Sequence, residues 1–155
     1  MSQFATFRVG EHLFGLDILG VREIIRVFNI TPVPRSETHI RGLINLRGQI
    51  VTILDLAVRL GHEARPVVDS SHIVILKHNA AAIQAQTQNA NQPSTQDLMG
   101  LLVDAIGDVV EAEAGLAEAP PANLSDAEER FLSGVLKTEA GLLVLLNLQE
   151  LLSSG

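Results

Sequence analysis

Apolar and polar positions along this chain alternate in short stretches, and no long helical period is sustained anywhere. Gln3 to Val9 and His12 to Asp17 repeat with a period of two and are separated by Gly10-Glu11, which predicts two strands joined in a hairpin. Gly42 to Leu46 and Gln49 to Leu54 repeat the arrangement around Arg47-Gly48, and the second arm is so continuously apolar that it predicts burial on both faces. Asp55 stands where it can cap the short helix that follows, and Gly61 where that helix would end. Asn147 takes the same place near the C-terminus, with Glu150 completing a capping box; Ser125 with Glu128 offers another. His72 to Lys77 and Leu98 to Asp104 read as two further strands. Many short strands, few helices and little chain per core predict a mainly β protein of two small barrels packed together.

The chain also repeats itself weakly. Shifted by 92 residues, Gly42-Leu43-Ile44 falls on Gly134-Val135-Leu136, Ile50 to Leu56 falls on Leu142 to Leu148, and Leu60 on Leu152. Shifted by 85, Gly15-Leu16 meets Gly100-Leu101, and Val21 with Glu23-Ile24-Ile25 meets Ile106 with Asp108-Val109-Val110. Either match alone is weak, but two in the same order indicate two similar lobes. We expect one domain over 1–155, with approximate lobes 1–78 and 98–155 and room for strands to exchange between them. Between the lobes, NAAAIQAQTQNANQPSTQD (79–97) is uncharged until Asp97 and has one large aliphatic, Ile83. It cannot anchor a core, and we read it as a mobile loop.

Composition narrows the function. With 46% apolar residues in 155, the chain is long enough for a sizeable core, and no 18-residue apolar run predicts a membrane span. The opening MSQFATFRVGEHLFG has neither the basic nor the apolar region of a secretory signal, so the expected compartment is the cytoplasm. The absence of cysteine excludes a disulfide framework, a thiol nucleophile and a thiolate metal site. The net charge of -7 hides an asymmetry: residues 1–65 hold eight arginines against six acids, and residues 66–155 three basic residues against twelve acids. Without a large basic stripe, Trp or Tyr, nucleic-acid binding is not expected.

Candidate chemistry is sparse. His12, His39, His62, His72 and His78 show no metal spacing, and neither a Gly-rich phosphate loop nor a GxSxG elbow occurs. No cofactor, metal or catalytic residue is expected. Asp104, Asp108, Glu111 and Glu113 do cluster; an uninterrupted strand would put the two aspartates on one face and the two glutamates on the other. Paired carboxylates suit acid-base catalysis, which makes a ligand-binding or hydrolytic protein the competing reading, but a solvated strand edge explains them more simply.

The stretches GLDILGVREII, PRSETHIRGLINLRGQIVTILDLAVRLG, LMGLLVDAIGDVVE and FLSGVLKTEAGLLVLLNLQELL resemble, in order and spacing, the CheW-type chemotaxis coupling proteins. The resemblance implies two five-stranded, SH3-like β-barrels. It also implies a non-catalytic adaptor that joins the cytoplasmic tips of chemoreceptors to the regulatory domain of a CheA-type histidine kinase, in a flagellar pathway or in a pilus or other non-flagellar one. The NLRG motif of the family falls on Asn45, Leu46, Arg47 and Gly48, which makes Arg47 a partner contact on a turn that Gly48 permits. The VREI stretch places a second contact on Val21 and Glu23, which share a face if that stretch is a regular strand. Arg41 stands where the family often has a basic residue, and Gly42 allows close approach of chains. The expected partner-binding residues are therefore Val21, Glu23, Arg41, Gly42, Asn45, Arg47 and Gly48. The segment 79–97 departs from the family, which usually makes a short turn there.

Overall fold

Alternating residues on the N-terminal segment produce β1 (Ser2–Val9) and β2 (His12–Asp17), turned at Gly10 with φ 63°. The structure is a computed structural model that describes residues 2–77, 98–119, 126–139 and 141–152. The expected loop 79–97 and the Ser125 cap lie outside the described residues. Then follow β3 (Val21–Arg26), β4 (Ile40–Leu46), β5 (Gln49–Asp55), α1 (Leu56–Arg59), β6 (His72–Leu76) and β7 (Leu98–Val103). The remainder forms β8 (Ala105–Ile106), β9 (Val110–Ala112), α2 (Asp126–Phe131), β10 (Leu132–Thr138), β11 (Gly141–Leu146) and α3 (Leu148–Leu151).

These strands make two sheets. One runs β3-β6-β7-β5-β4; the other runs β10-β11-β2-β1, with β8 and β9 both paired to β1. Each sheet curls so that the segment beyond one edge strand reaches the opposite edge. Thr31 exchanges two backbone hydrogen bonds with Leu43 (2.8 and 2.9 Å), and Glu118 does the same with Val135 (2.8 Å each). The fold is thus mainly β, in two SH3-like lobes with short helices.

The weak sequence repeat is a repeat of register. β5 and β7 pair in parallel with Val51 opposite Leu98, and β11 and β2 pair in parallel with Leu143 opposite Leu13. The offset of 92 carries Val51 onto Leu143, and the offset of 85 carries Leu13 onto Leu98. The two offsets differ because the second lobe is assembled in permuted order: the N-terminal hairpin β1-β2 fills the place beside β11 that β6-β7 fills beside β5. The sheets therefore do not follow the chain order of lobes 1–78 and 98–155. β1 and β2 sit with the C-terminal strands, and β7 sits with β3 to β6.

The cores follow the same plan. Ile44, Leu46, Val51, Ile53, Ile73, Ile75, Leu98 and Leu102 fill the first lobe, and Phe4, Leu13, Leu136, Leu143 and Leu145 the second. The largest core lies between them and draws on both: Phe7, Phe14 and Leu16 meet Leu54, Leu76 and Leu101 with Phe131, Leu146 and Leu151. Arg59 crosses this junction. Its Nε donates to the Leu151 carbonyl (3.1 Å) and its Nη2 to the Glu150 carbonyl (3.2 Å), while the guanidinium lies 4.7 Å from the Phe131 ring centre. Burial, then the neighbouring Arg130, lowers the pKa of Arg59, against the opposing pull of Glu37 and Glu150.

Candidate functional site

The β4-β5 hairpin closes through only two residues, Arg47 (φ 51°) and Gly48 (φ 86°). Positive φ at both central positions is the pattern of a type I′ turn, whose twist matches the flanking strands and which favours Asn-Gly or Asp-Gly. Asn45 Oδ1 fixes the turn by accepting the Gly48 N–H at 2.9 Å. An arginine in left-handed backbone costs on the order of 1 kcal/mol or more. Its exposed ion pair contributes at most about 1 kcal/mol in return. That pair is Arg47 Nη2 to Glu23 Oε2 at 2.6 Å, with the side chains 65% and 26% exposed. Arg22 Nη1 donates to Gln49 Oε1 at 2.9 Å beside it, so two contacts tie β3 to the hairpin tip although the strands stand at opposite edges of one sheet.

Val21 and Glu23 belong to the same strand but do not share a regular face. A bulge at Arg22 separates Val21, opposite Leu76, from Glu23, opposite Ile75. Val21 consequently packs on the core between the lobes, whereas Glu23 turns toward Arg47. The bulge inserts one residue against the partner strand, which alternation in the sequence cannot reveal.

Arg41 and Gly42 occupy the far end of β4. A bulge there aims Arg41 at Asp55, whose Oδ2 accepts its Nη1 at 2.9 Å, and the same nitrogen donates to the Arg65 carbonyl at 3.3 Å. Gly42 has φ 148°, and a Cβ on it would stand 2.3 Å from the Thr31 carbonyl oxygen. Close approach is thus the role of Gly42. The structure brings Glu23, Asn45, Arg47 and Gly48 together at one tip and leaves Arg41 and Gly42 at the other end of the hairpin.

Sequence reasoning missed part of the tip. Ile50 is half exposed (50%), contrary to the expectation of an arm buried on both faces. Both-face burial holds only farther along β5, where Ile53 fills the lobe and Leu54 the core between lobes. Leu19, in the turn before β3, and Ile24, on β3 next to Glu23 in sequence, are also exposed. The clue was available: Ile50 follows directly on a polar turn.

The acidic cluster does not take the two-faced arrangement expected of it. Gly107 interrupts the strand, and β8 and β9 meet β1 in registers one residue apart, with Ile106 opposite Phe7 and Val110 opposite Phe4. A Cβ at position 107 would collide with the Thr6 hydroxyl, which donates to the Asp108 carbonyl at 2.5 Å. The alternation assumed for the four acids fails at that break. Asp104 is spent on structure, accepting from the Gly10 N–H at 2.8 Å and pairing with Arg65. Among the described residues no group of three His, Asp or Glu side chains is arranged to hold a metal ion.

Comparison with known proteins agrees with this fold. The CheW-like domain family matches residues 3–155. A probable chemotaxis protein CheW of Rhizobium etli is 32% identical over 152 residues, spanning 97% of this chain and 87% of the relative. Chemotaxis protein CheW of Rhizobium meliloti is 33% identical over 153 residues, spanning 98% and 88%. Among solved structures, the scaffolding protein TtCheW of Thermoanaerobacter tengcongensis matches with a TM-score of 0.79 at 28% identity, over 99% of this chain and 89% of that one.

Proposed function

Because the chain belongs to the CheW-like domain family, whose members are non-catalytic scaffolds of chemotaxis signalling, we propose that it couples chemoreceptors to a CheA-type histidine kinase. The setting of that coupling is the cytoplasm; no helix among the described residues is long and apolar enough to cross a membrane. Its partner contacts are Glu23, Asn45, Arg47 and Gly48 at the hairpin tip, with Arg47 as the anchor, and Val21 and Arg41 away from the tip; Gly42 supports them by letting Thr31 approach β4. The observation that carries this reading is the strained, exposed arginine at the hairpin tip. Asn at position 47 would turn the chain at less cost. A guanidinium kept there instead serves something outside the fold, and an exposed arginine on a stiff turn suits an interface anchor.

The adaptor acts by geometry. It holds kinase and receptor in one assembly, and it transmits a receptor rearrangement only in so far as it binds the two signalling states with different affinity. The test is a pull-down with the kinase regulatory domain and the receptor tip, beside a melting curve, for Arg47→Glu. The fold should survive, since the side chain leaves the barrel into solvent, and binding should weaken at least about thirtyfold, the equivalent of roughly 2 kcal/mol. Unchanged binding with an unchanged melt would return Arg47 to a turn decoration; lost binding with a collapsed melt would make it structural.

A further inference from the structure

The described residues hold a second arginine in left-handed backbone, and none of the contacts proposed above uses it. Arg35 has φ 62°, and Arg35 and Arg47 are the two non-glycine residues with positive φ among those described. It occupies the third position of the turn Val33-Pro34-Arg35-Ser36, in which the Ser36 N–H and hydroxyl both donate to the Val33 carbonyl, at 3.4 and 2.9 Å. Proline at the second position and positive φ at the third are the pattern of a type II turn, where Gly or Asn is the unstrained choice. Arg35 is exposed like Arg47 but, unlike it, makes no ion pair or side-chain hydrogen bond among the described residues. Among the described residues nothing offsets its cost.

The chain that leads into this turn bounds an open groove of about 450 Å³, lined by Val27, Phe28, Ile30, Pro32, Arg41 and Val67 with Asn29. Phe28 is 42% exposed, and Val67 and the adjacent Val68 are exposed as well, an apolar patch that the described residues leave uncovered. From Arg26 to Arg41 the chain carries three arginines and one acid, Glu37, whose carboxylate faces His39 at 3.1 Å; Arg41 is paired with Asp55, which leaves Arg26 and Arg35 as the flanking cations without an ion pair among the described residues. An apolar floor with cationic flanks complements one kind of occupant: a protein segment that presents large apolar side chains beside carboxylates.

We infer that this groove is a second docking surface, separate from the hairpin tip, for an acidic-apolar segment of a partner protein, and that Arg35 is its charge-reading residue. The backbone strain at Arg35 then has the same origin as that at Arg47: a turn that could be relaxed holds a cation for use outside the fold.

The probe is a set of fluorescein-labelled twelve-residue peptides titrated into the full chain. One presents a Leu-Phe pair flanked by glutamates, a second replaces the glutamates with lysines, and a third replaces the Leu-Phe pair with serines. The glutamate peptide should bind at least about tenfold more tightly than either twin, and high salt should shrink its advantage over the lysine peptide. Two variants assign the effect. Arg35→Gly should raise the melting temperature, because glycine adopts the turn without strain, while reducing the charge preference to near unity. Phe28→Ser should lose binding of all three peptides with the melt unchanged. Arg47→Glu should leave peptide binding as in the wild type, which keeps this inference separable from the hairpin reading. Equal binding of the three peptides, a preference that survives Arg35→Gly, or a preference lost in Arg47→Glu would overturn it. So would a concentration-dependent dimer abolished by Phe28→Ser, which would assign the groove to a second copy of the chain.

Discussion

Gly42 and Arg47 lie on one hairpin, and their backbones depart from the ordinary for opposite reasons. At Gly42 the departure builds the fold: Thr31 and Leu43 can exchange their two hydrogen bonds only because no Cβ stands between the chains. Gly42→Ala should therefore cost about 2 to 4 kcal/mol, since the clash is with backbone and both bonds must loosen. Urea denaturation measures that loss, and an unchanged midpoint would show that the lobe closes without the Thr31 contact. At Arg47 the departure weakens the fold, so Arg47→Asn should raise stability by up to about 1 kcal/mol while partner binding falls, a combination that a purely structural residue does not give. His39 supplies a pH dependence. Burial first, then the positive charge of Arg59, lowers its pKa from the ordinary 6.5, with Glu37 opposing. A lowered folded pKa means the unfolded chain binds the proton more tightly, so this contribution is fully present above pH 6.5 and is lost as pH falls through the folded value. Melting curves between pH 5 and 8 should show this slope, and His39→Gln should flatten it.

The two short helices show how much a cap can carry. Asp55 Oδ1 accepts the Val58 N–H, and Asn147 Oδ1 accepts the Glu150 N–H, so both helices begin as the sequence implied. The C-terminal end of α1 was legible too: Gly61 has φ 92°, its N–H donates to Val58 and that of His62 to Ala57, a paired closure that depends on the glycine. The capping box at Glu150 forms only in part. Its carboxylate accepts from Arg130 Nε at 2.8 Å, and the Asn147 N–H donates to the Phe131 carbonyl instead. Local rules place a cap, but they do not see a competing arginine brought in by another helix. The caps should also differ in strength. Asp55 is buried and bonds Arg41 as well as the helix, so Asp55→Ala removes a cap and strands a half-buried cation, costing about 3 kcal/mol or more, against about 1 kcal/mol for Asn147→Ala. Chemical denaturation of the two variants compares them directly; equal losses would mean that the Arg41 pair adds nothing.

Hairpins, caps and the weak repeat were legible because each is written in neighbouring residues, and the repeat even kept its register. The assignment of β1 and β2 to the C-terminal sheet was not, because a strand's alternation says which side is buried and not which distant strand it joins. Nor was the pairing of Glu23 with Arg47, which depends on a curl that brings opposite sheet edges together. That permuted assembly has a thermodynamic consequence. The second lobe cannot close without the chain's first strands, the largest core is shared by both lobes, and Arg59 is bonded across the junction, so the lobes should unfold as one unit. Ile75 and Leu76 are neighbours on β6 that face different cores, Ile75 the interior of the first lobe and Leu76 the junction. Truncating either to Ala should cost about 2 to 5 kcal/mol. If the molecule is one cooperative unit, Ile75→Ala should lower amide-exchange protection in β2 and β11 as much as in β5 and β7, although its side chain packs only within the first lobe. Wild-type protection in β2 and β11 with loss confined to the first sheet would show two separately stable lobes, and the shared core would then be an interface between them.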